Sequence, residues 1–182
     1  AWEALATEGD TWRYHTNTTA PAEGWQQPGF DDSDWPEGLS GFGYGDDDDQ
    51  TILEPCLSAS LRMTFTIDDL SLVRYLLFHI DYDDGYAAWL NGQPISRGNM
   101  AGTDDPPWDR PADDEHEASL YQGDPLSGGS IPVGSLVQGE NVLAVQVHNE
   151  SLASEDLTCT PFLTAGLRVF DGPPRRSPSA EV

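Results

Sequence analysis

The stretch GFGYGDDDDQTI, Gly41 to Ile52, places four consecutive carboxylates behind two aromatic residues spaced by glycines. Adjacent carboxylates repel one another, so water, salt or a bound cation must tolerate them. Calcium takes about six to eight oxygen ligands in flexible geometry, and aspartates of a loop supply them together with backbone carbonyls. Asp46, Asp47, Asp48 and Asp49 are therefore candidate calcium ligands, with Thr51 able to add an oxygen. Successive side chains of an extended segment point to opposite sides, so two of the four at most share one ion. The alternative is a solvated, salt-screened loop. The glycine and closing glutamate of an EF-hand are missing. A second acidic group, Asp83-Asp84-Gly85, reads first as a turn, with Asp84 as a further metal candidate beside Asp83.

Sugar binding requires an exposed aromatic ring to lie on pyranose C–H faces, plus planar polar groups that grip hydroxyls in defined directions. Trp108 in DDPPWDRP is the leading candidate, in a polar segment with Asp109 and Arg110 adjacent. Arg97 and Asn99 in SRGNM, with His148 at a strand end, are candidates for the same rim. Their alternative role is hydrogen bonding that pins loops. Trp89 is a candidate either as a sheet-face aromatic or as core, and Trp12, Trp25 and Trp35 read as core.

Catalytic signatures are absent from the sequence. There is no GxSxG elbow, HExxH, phosphate-binding loop or dinucleotide fingerprint. The four histidines, His15, His79, His116 and His148, lack metal-ligand spacing. With 32 acidic residues a glycosidase-like carboxylate pair can always be drawn, so such a pair carries no information. No intrinsic enzyme activity is expected. Cys56 and Cys159 are the two cysteines, and either one long-range disulfide or two buried thiols accommodates them.

The 32 acids face eight arginines and no lysine, for a net charge of −24. Such a surface repels nucleic acid and anionic membranes, which bind through Lys and Arg. A dense acidic shell also suits high salt, the halophilic alternative. No apolar run is long enough for membrane insertion.

These candidates need elements to position them. Helical periodicity is scarce, whereas LRMTFTI puts Leu61, Met63, Phe65 and Ile67 on one side and Arg62, Thr64 and Thr66 on the other. VRYLLFHIDY, Val73 to Tyr82, is apolar on both sides and predicts a central covered strand. Asp84-Gly85 and Asn91-Gly92 predict two hairpin turns and a three-strand meander. NVLAVQVHN and TPFLTAGLRVF predict two late strands, separated from the meander by a long polar excursion rich in proline. The fold class is all-β, an antiparallel β-sandwich of jelly-roll type. A single domain spans residues 1–170, and 171–182 reads as a Pro/Ser-rich tail or linker.

The ordered series WRYH, PGFDDSDWPEGLSGFGYGDDDDQT, LRMTFTI, IDYDDGYAAWLNGQPISRGNM and GENVLAVQVHN resembles a family of galactose-binding-like jelly-roll domains appended to secreted bacterial proteins. The resemblance spans roughly residues 11–169 and departs at Glu155 and Cys159. It implies a non-catalytic accessory module, extracellular or at the cell surface, that binds polysaccharide or another glycan, with a structural calcium ion in many relatives. The alternative is an interaction domain that packs against a neighbouring domain of its parent protein and binds no sugar.

Overall fold

The computed structural model describes residues 1–45, 47–120 and 126–168. Residues 169–182, with the expected tail, lie outside the described residues, as does Asp46. Among the described residues twelve strands form two sheets: β1 (Trp2–Ala6), β2 (Thr11–Thr16), β3 (Glu37–Leu39), β4 (Phe42–Tyr44), β5 (Thr51–Ile52), β6 (Ser58–Ile67), β7 (Val73–Asp83), β8 (Gly85–Leu90), β9 (Gln93–Gly98), β10 (Ser127–Ser130), β11 (Gly139–His148) and β12 (Leu157–Leu167). The first sheet runs β10-β7-β12-β4-β5, with β1 pairing further along β12. The second runs β3-β2-β6-β11-β8-β9. Every pairing is antiparallel except β4 with β5, so the chain is a β-sandwich, as its strand pattern predicts.

The inner sides of the two sheets meet in one core built from Trp12, Phe42, Leu61, Phe78, Tyr86, Leu143 and their neighbours. Each large side chain removed from water contributes roughly 1.5–3 kcal/mol. The alternation in LRMTFTI is present in β6: Leu61 and Ile67 are buried while Thr64 and Thr66 are exposed. Asn91 and Gly92 form the predicted two-residue turn between β8 and β9, with φ of 53° and 75°.

Two expectations are corrected. The doubly covered strand is β11, hydrogen-bonded to β6 and β8 and buried on both sides, whereas β7 alternates through its first half and exposes Tyr75. Nor do β7, β8 and β9 form a meander. Asp84 is a crossing point rather than a hairpin tip, since β7 belongs to the first sheet and β8 to the second. Asp-Gly supplies the local bend, but which strands pair is decided by partners far along the chain.

The outer side of the second sheet is also covered. Residues 17–36 lie over it and bring Trp25, Trp35 and Phe30 against Ala87, Trp89 and Ala144, a second apolar cluster. Arg62, which alternation assigns to the solvent side, is only 2% exposed beneath this cover. Its Nε donates to Asp32 Oδ2 at 2.8 Å, its Nη1 donates to the carbonyls of Trp25 and Gln27, and its guanidinium stands 5.1 Å from the centre of the Phe30 ring. Cys56 and Cys159 are buried free thiols, and burial pushes the Cys56 thiol up to about 11. Among the described residues, no helix is long and apolar enough to cross a membrane.

Removing one partner of a buried ion pair strands the other, at about 3–5 kcal/mol. Arg62→Ala is expected to lower stability by about that amount and to raise quenching of Trp25 and Trp35 fluorescence. Urea unfolding with acrylamide quenching reads both, and a loss under about 1 kcal/mol would show that the cover holds without its arginine.

Candidate functional site: an aromatic pocket and an acidic strand end

Cross-strand register builds the pocket floor. His15 of β2 lies opposite Ser60 of β6, Ser60 opposite Gln146 of β11, and Gln146 opposite Ala87 of β8, forming one row across the outer side of the second sheet. A row of polar side chains survives there only because each is hydrogen-bonded. Asn17 Nδ2 donates to Ser58 Oγ at 2.7 Å and to Ser60 Oγ at 3.1 Å, and His15 Nδ1 stands 2.8 Å from Asn17 Oδ1.

Above Gln146 the 20–27 segment meets the 105–108 segment and leaves an open pocket of about 540 Å³. Its polar and aromatic wall includes Trp108, Glu23, Gln26, Gln27, Asp105 and Gln146. Trp108 is half-buried, and its carbonyl accepts from Ser58 Oγ at 2.6 Å. The other sequence candidates hold the segment that carries it. Arg97 donates to the carbonyls of Gly102, Thr103 and Asp104. Trp89, fully buried, donates from Nε1 to Asp105 Oδ1 at 2.8 Å. His148, also fully buried, meets the Arg110 carbonyl through Nδ1 at 2.7 Å. Asn99 donates to the carbonyls of Asp84 and Asp114. The structure thus brings Trp108 to the pocket and sets Arg97, Asn99, His148 and Trp89 behind it as braces. The amides Gln26, Gln27 and Gln146 escaped sequence reasoning, because an isolated glutamine carries no spacing signal.

The aspartates divide into different roles. Asp47 and Asp48 are exposed, while Asp49 folds back so that its carboxylate lies against Gly43 of β4, where a Cβ would meet Oδ1 at 2.4 Å. Asp84 is buried as a structural acceptor, taking the backbone N–H of His116 at Oδ1 and of Glu150 at Oδ2, both at 2.8 Å. Asp81 takes those of Ser119 and Leu120. Between them Asp83, 4% exposed, faces Glu117 and Asp156, with one carboxylate oxygen of each lying within 4.8 Å of the others. This group could hold a metal ion. Glu117 and Asp156 come from distant loops and carry no sequence signal of their own.

Burial, then the charges of Asp84, Asp156 and Glu117, push the Asp83 carboxyl up to about 8. The folded chain keeps that proton where the unfolded chain, titrating near 3.8, has released it. Native protein binds the extra proton, so stability falls as pH rises between about 4 and about 8 and is unaffected below. His148 acts in the opposite sense: burial lowers it from 6.5 to about 4, and stability is lost as pH falls through that window. With chelator present, the advantage of Asp83→Asn over the wild type in urea midpoint is expected to grow from about pH 4 to about pH 8. An advantage that stays constant across the range would mean that Asp83 is ionised throughout.

No protein-family model and no curated protein matches the chain. Solved structures share its fold. A calcium-binding mutant of Bacteroides uniformis beta-glucuronidase 2 superposes with a TM-score of 0.56 at 16% identity, over 91% of this chain and 18% of that one. A glycosyl hydrolase family 2 member from Bacteroides cellulosilyticus gives 0.56 at 14%, over 90% and 20%. A beta-glucuronidase from an uncultured Clostridium sp. gives 0.53 at 15%, over 91% and 29%. The chain therefore spans less than a third of each of these proteins, and its likeness to them is that of the sandwich fold.

Proposed function

We propose that this chain is a non-catalytic, carbohydrate-binding domain of a larger secreted or surface protein that degrades glycans. The observation that carries this proposal is the pocket in which half-buried Trp108 faces carboxylates and amides. An aromatic wall offers a sugar its apolar side, and the planar polar groups beside it match hydroxyls. A volume of about 540 Å³ whose wall mixes aromatic rings with carboxylates and amides suits one or two sugar rings. The accessory role is supported by the small share of known glycosidase chains that this fold occupies. Its partners are then a glycan and a neighbouring domain of the parent protein.

A structural calcium ion belongs to the same proposal, at Asp83, Glu117 and Asp156. Three carboxylates supply part of its oxygen shell, and carbonyls and water complete it. Ion binding requires ionised Asp83, so calcium affinity rises with pH.

One observation favours the structural alternative, a domain that packs on a neighbour without binding sugar. Trp2 and Tyr75, 61% and 63% exposed, place their rings 6.3 Å apart on the first sheet. Large exposed apolar groups in one place mark contact surfaces.

Retention on immobilised polysaccharides separates the two. Binding to one glycan class that weakens about tenfold or more in Trp108→Ala establishes the carbohydrate domain. Absence of binding to every glycan, or binding indifferent to Trp108→Ala, refutes the proposed site. For the ion, calcium is expected to raise the melting temperature of the wild type and not of Asp156→Asn, while equal curves in calcium and chelator remove the cation.

A further inference from the structure

Building on the carbohydrate assignment, we propose that the pocket selects sugars free of carboxylate, sulfate and phosphate groups. Gln146, turned by His148, gives its floor a hydrogen-bond donor for a sugar hydroxyl.

The rim supplies the first half. Glu23 and Asp105 bring two carboxylates to the pocket, and no arginine among the described residues lines it. Three arginines of the flanking segments and floor strands are occupied elsewhere: Arg97 with three carbonyls, Arg110 with the Ala101 carbonyl and Asp113, and Arg62 with Asp32 beneath the cover. An anionic sugar entering here loses water, gains no cation and meets like charge. A hydroxyl entering the same place donates to either carboxylate in a charge-assisted bond.

Proton accounting along the polar row supplies the second half. The Arg110 carbonyl only accepts, so the His148 Nδ1 facing it at 2.7 Å carries the proton. The buried ring is neutral near neutral pH, since burial holds its pKa to about 4, and Nε2 is therefore a lone pair. That lone pair lies 3.0 Å from the Gln146 side-chain amide, at the position assigned to Oε1. Two acceptors do not face one another at that distance, so the amide is turned by half a rotation, with its NH2 on His148 and its oxygen on Ser60 Oγ, 3.1 Å away. The rest of the row then closes. Ser60 turns its one proton from Asn17 Oδ1, 3.3 Å away, to Gln146 and accepts from Asn17 Nδ2. Asn17 Oδ1 keeps His15 Nδ1 at 2.8 Å, Asn17 donates also to Ser58, and Ser58 donates to the carbonyl of Trp108. One Gln146 N–H remains over, on a residue that lines the pocket floor with 2% of its surface exposed. A donor in the floor and acceptors at the rim describe a site for neutral hydroxylated rings.

Two measurements on the full chain test this. The first is nitrogen-15 NMR of His148 near neutral pH. A ring protonated at Nδ1 and bare at Nε2 is expected, whereas an Nε2–H tautomer or a doubly protonated ring overturns the donor assignment. The second compares neutral polysaccharides with uronates of the same ring configuration, galactan with polygalacturonate and, with the linkage matched as well, mannan with polymannuronate, in about 1 M salt. There the screening length is about 3 Å, so the overall negative charge no longer repels at a distance and only groups in contact discriminate. The neutral member is expected to bind at least about tenfold tighter than its uronate, a difference of about 1.4 kcal/mol, and Glu23→Gln is expected to narrow the gap. Equal or tighter uronate binding that still depends on Trp108 overturns this selectivity and leaves the carbohydrate site standing. Failure of both members of every pair to bind removes the carbohydrate site and the selectivity together.

Discussion

A guanidinium buried on the outer side of a sheet is the constraint on which the pocket depends. Arg62 leaves water only because Asp32 and the carbonyls of Trp25 and Gln27 satisfy its donors, and those groups belong to the segment that roofs the sheet. The same bonds that pay for its burial therefore fix residues 20–35 in place. Trp25 and Trp35 then have an apolar bed of Ala87, Trp89 and Ala144. Without that cover the polar row of Ser60 and Gln146 would face solvent, and there would be a flat sheet in place of a pocket.

The opposite wall is held by a different kind of bond. The segment after β9 has little apolar content, so backbone carbonyls and a few long side chains do the fixing. Arg97 closes the loop before Asp105, Trp89 orients Asp105, and His148 donates to the Arg110 carbonyl. Rigid strands thus lend their side chains to an irregular segment, which is how a loop acquires a fixed shape without a core of its own. Trp108 is carried by this arrangement and reaches the pocket from it.

The acidic strand end has another logic. Asp81 and Asp84 each accept two backbone N–H groups and so stitch crossing loops to β7 and the start of β8. Asp83 lies between them, facing two further carboxylates. Protonation of Asp83 relieves that crowding up to about pH 8, and a cation would relieve it where the carboxyl is ionised. The net charge of −24 sets the same conflict over the whole surface, but there water and salt resolve it. Only where burial removes water does the conflict become specific.

Much of the fold was legible from period-two alternation and turn residues. LRMTFTI, NVLAVQVHN and the Asn91-Gly92 turn are local patterns, and each has its expected form. Alternation separates two sides of a strand but does not say what covers either one, so Arg62 looked solvent-facing although a loop lies over it. It is equally silent on pairing, and so Asp84 looked like a hairpin tip when β7 and β8 belong to different sheets. Of the site, the sequence alone marked Trp108 by chemistry and context. The company of Gln146, Asp105 and Glu23, and of Asp83 with Glu117 and Asp156, was decided by tertiary structure, because those residues come from segments far apart whose meeting depends on sheet register and loop closure.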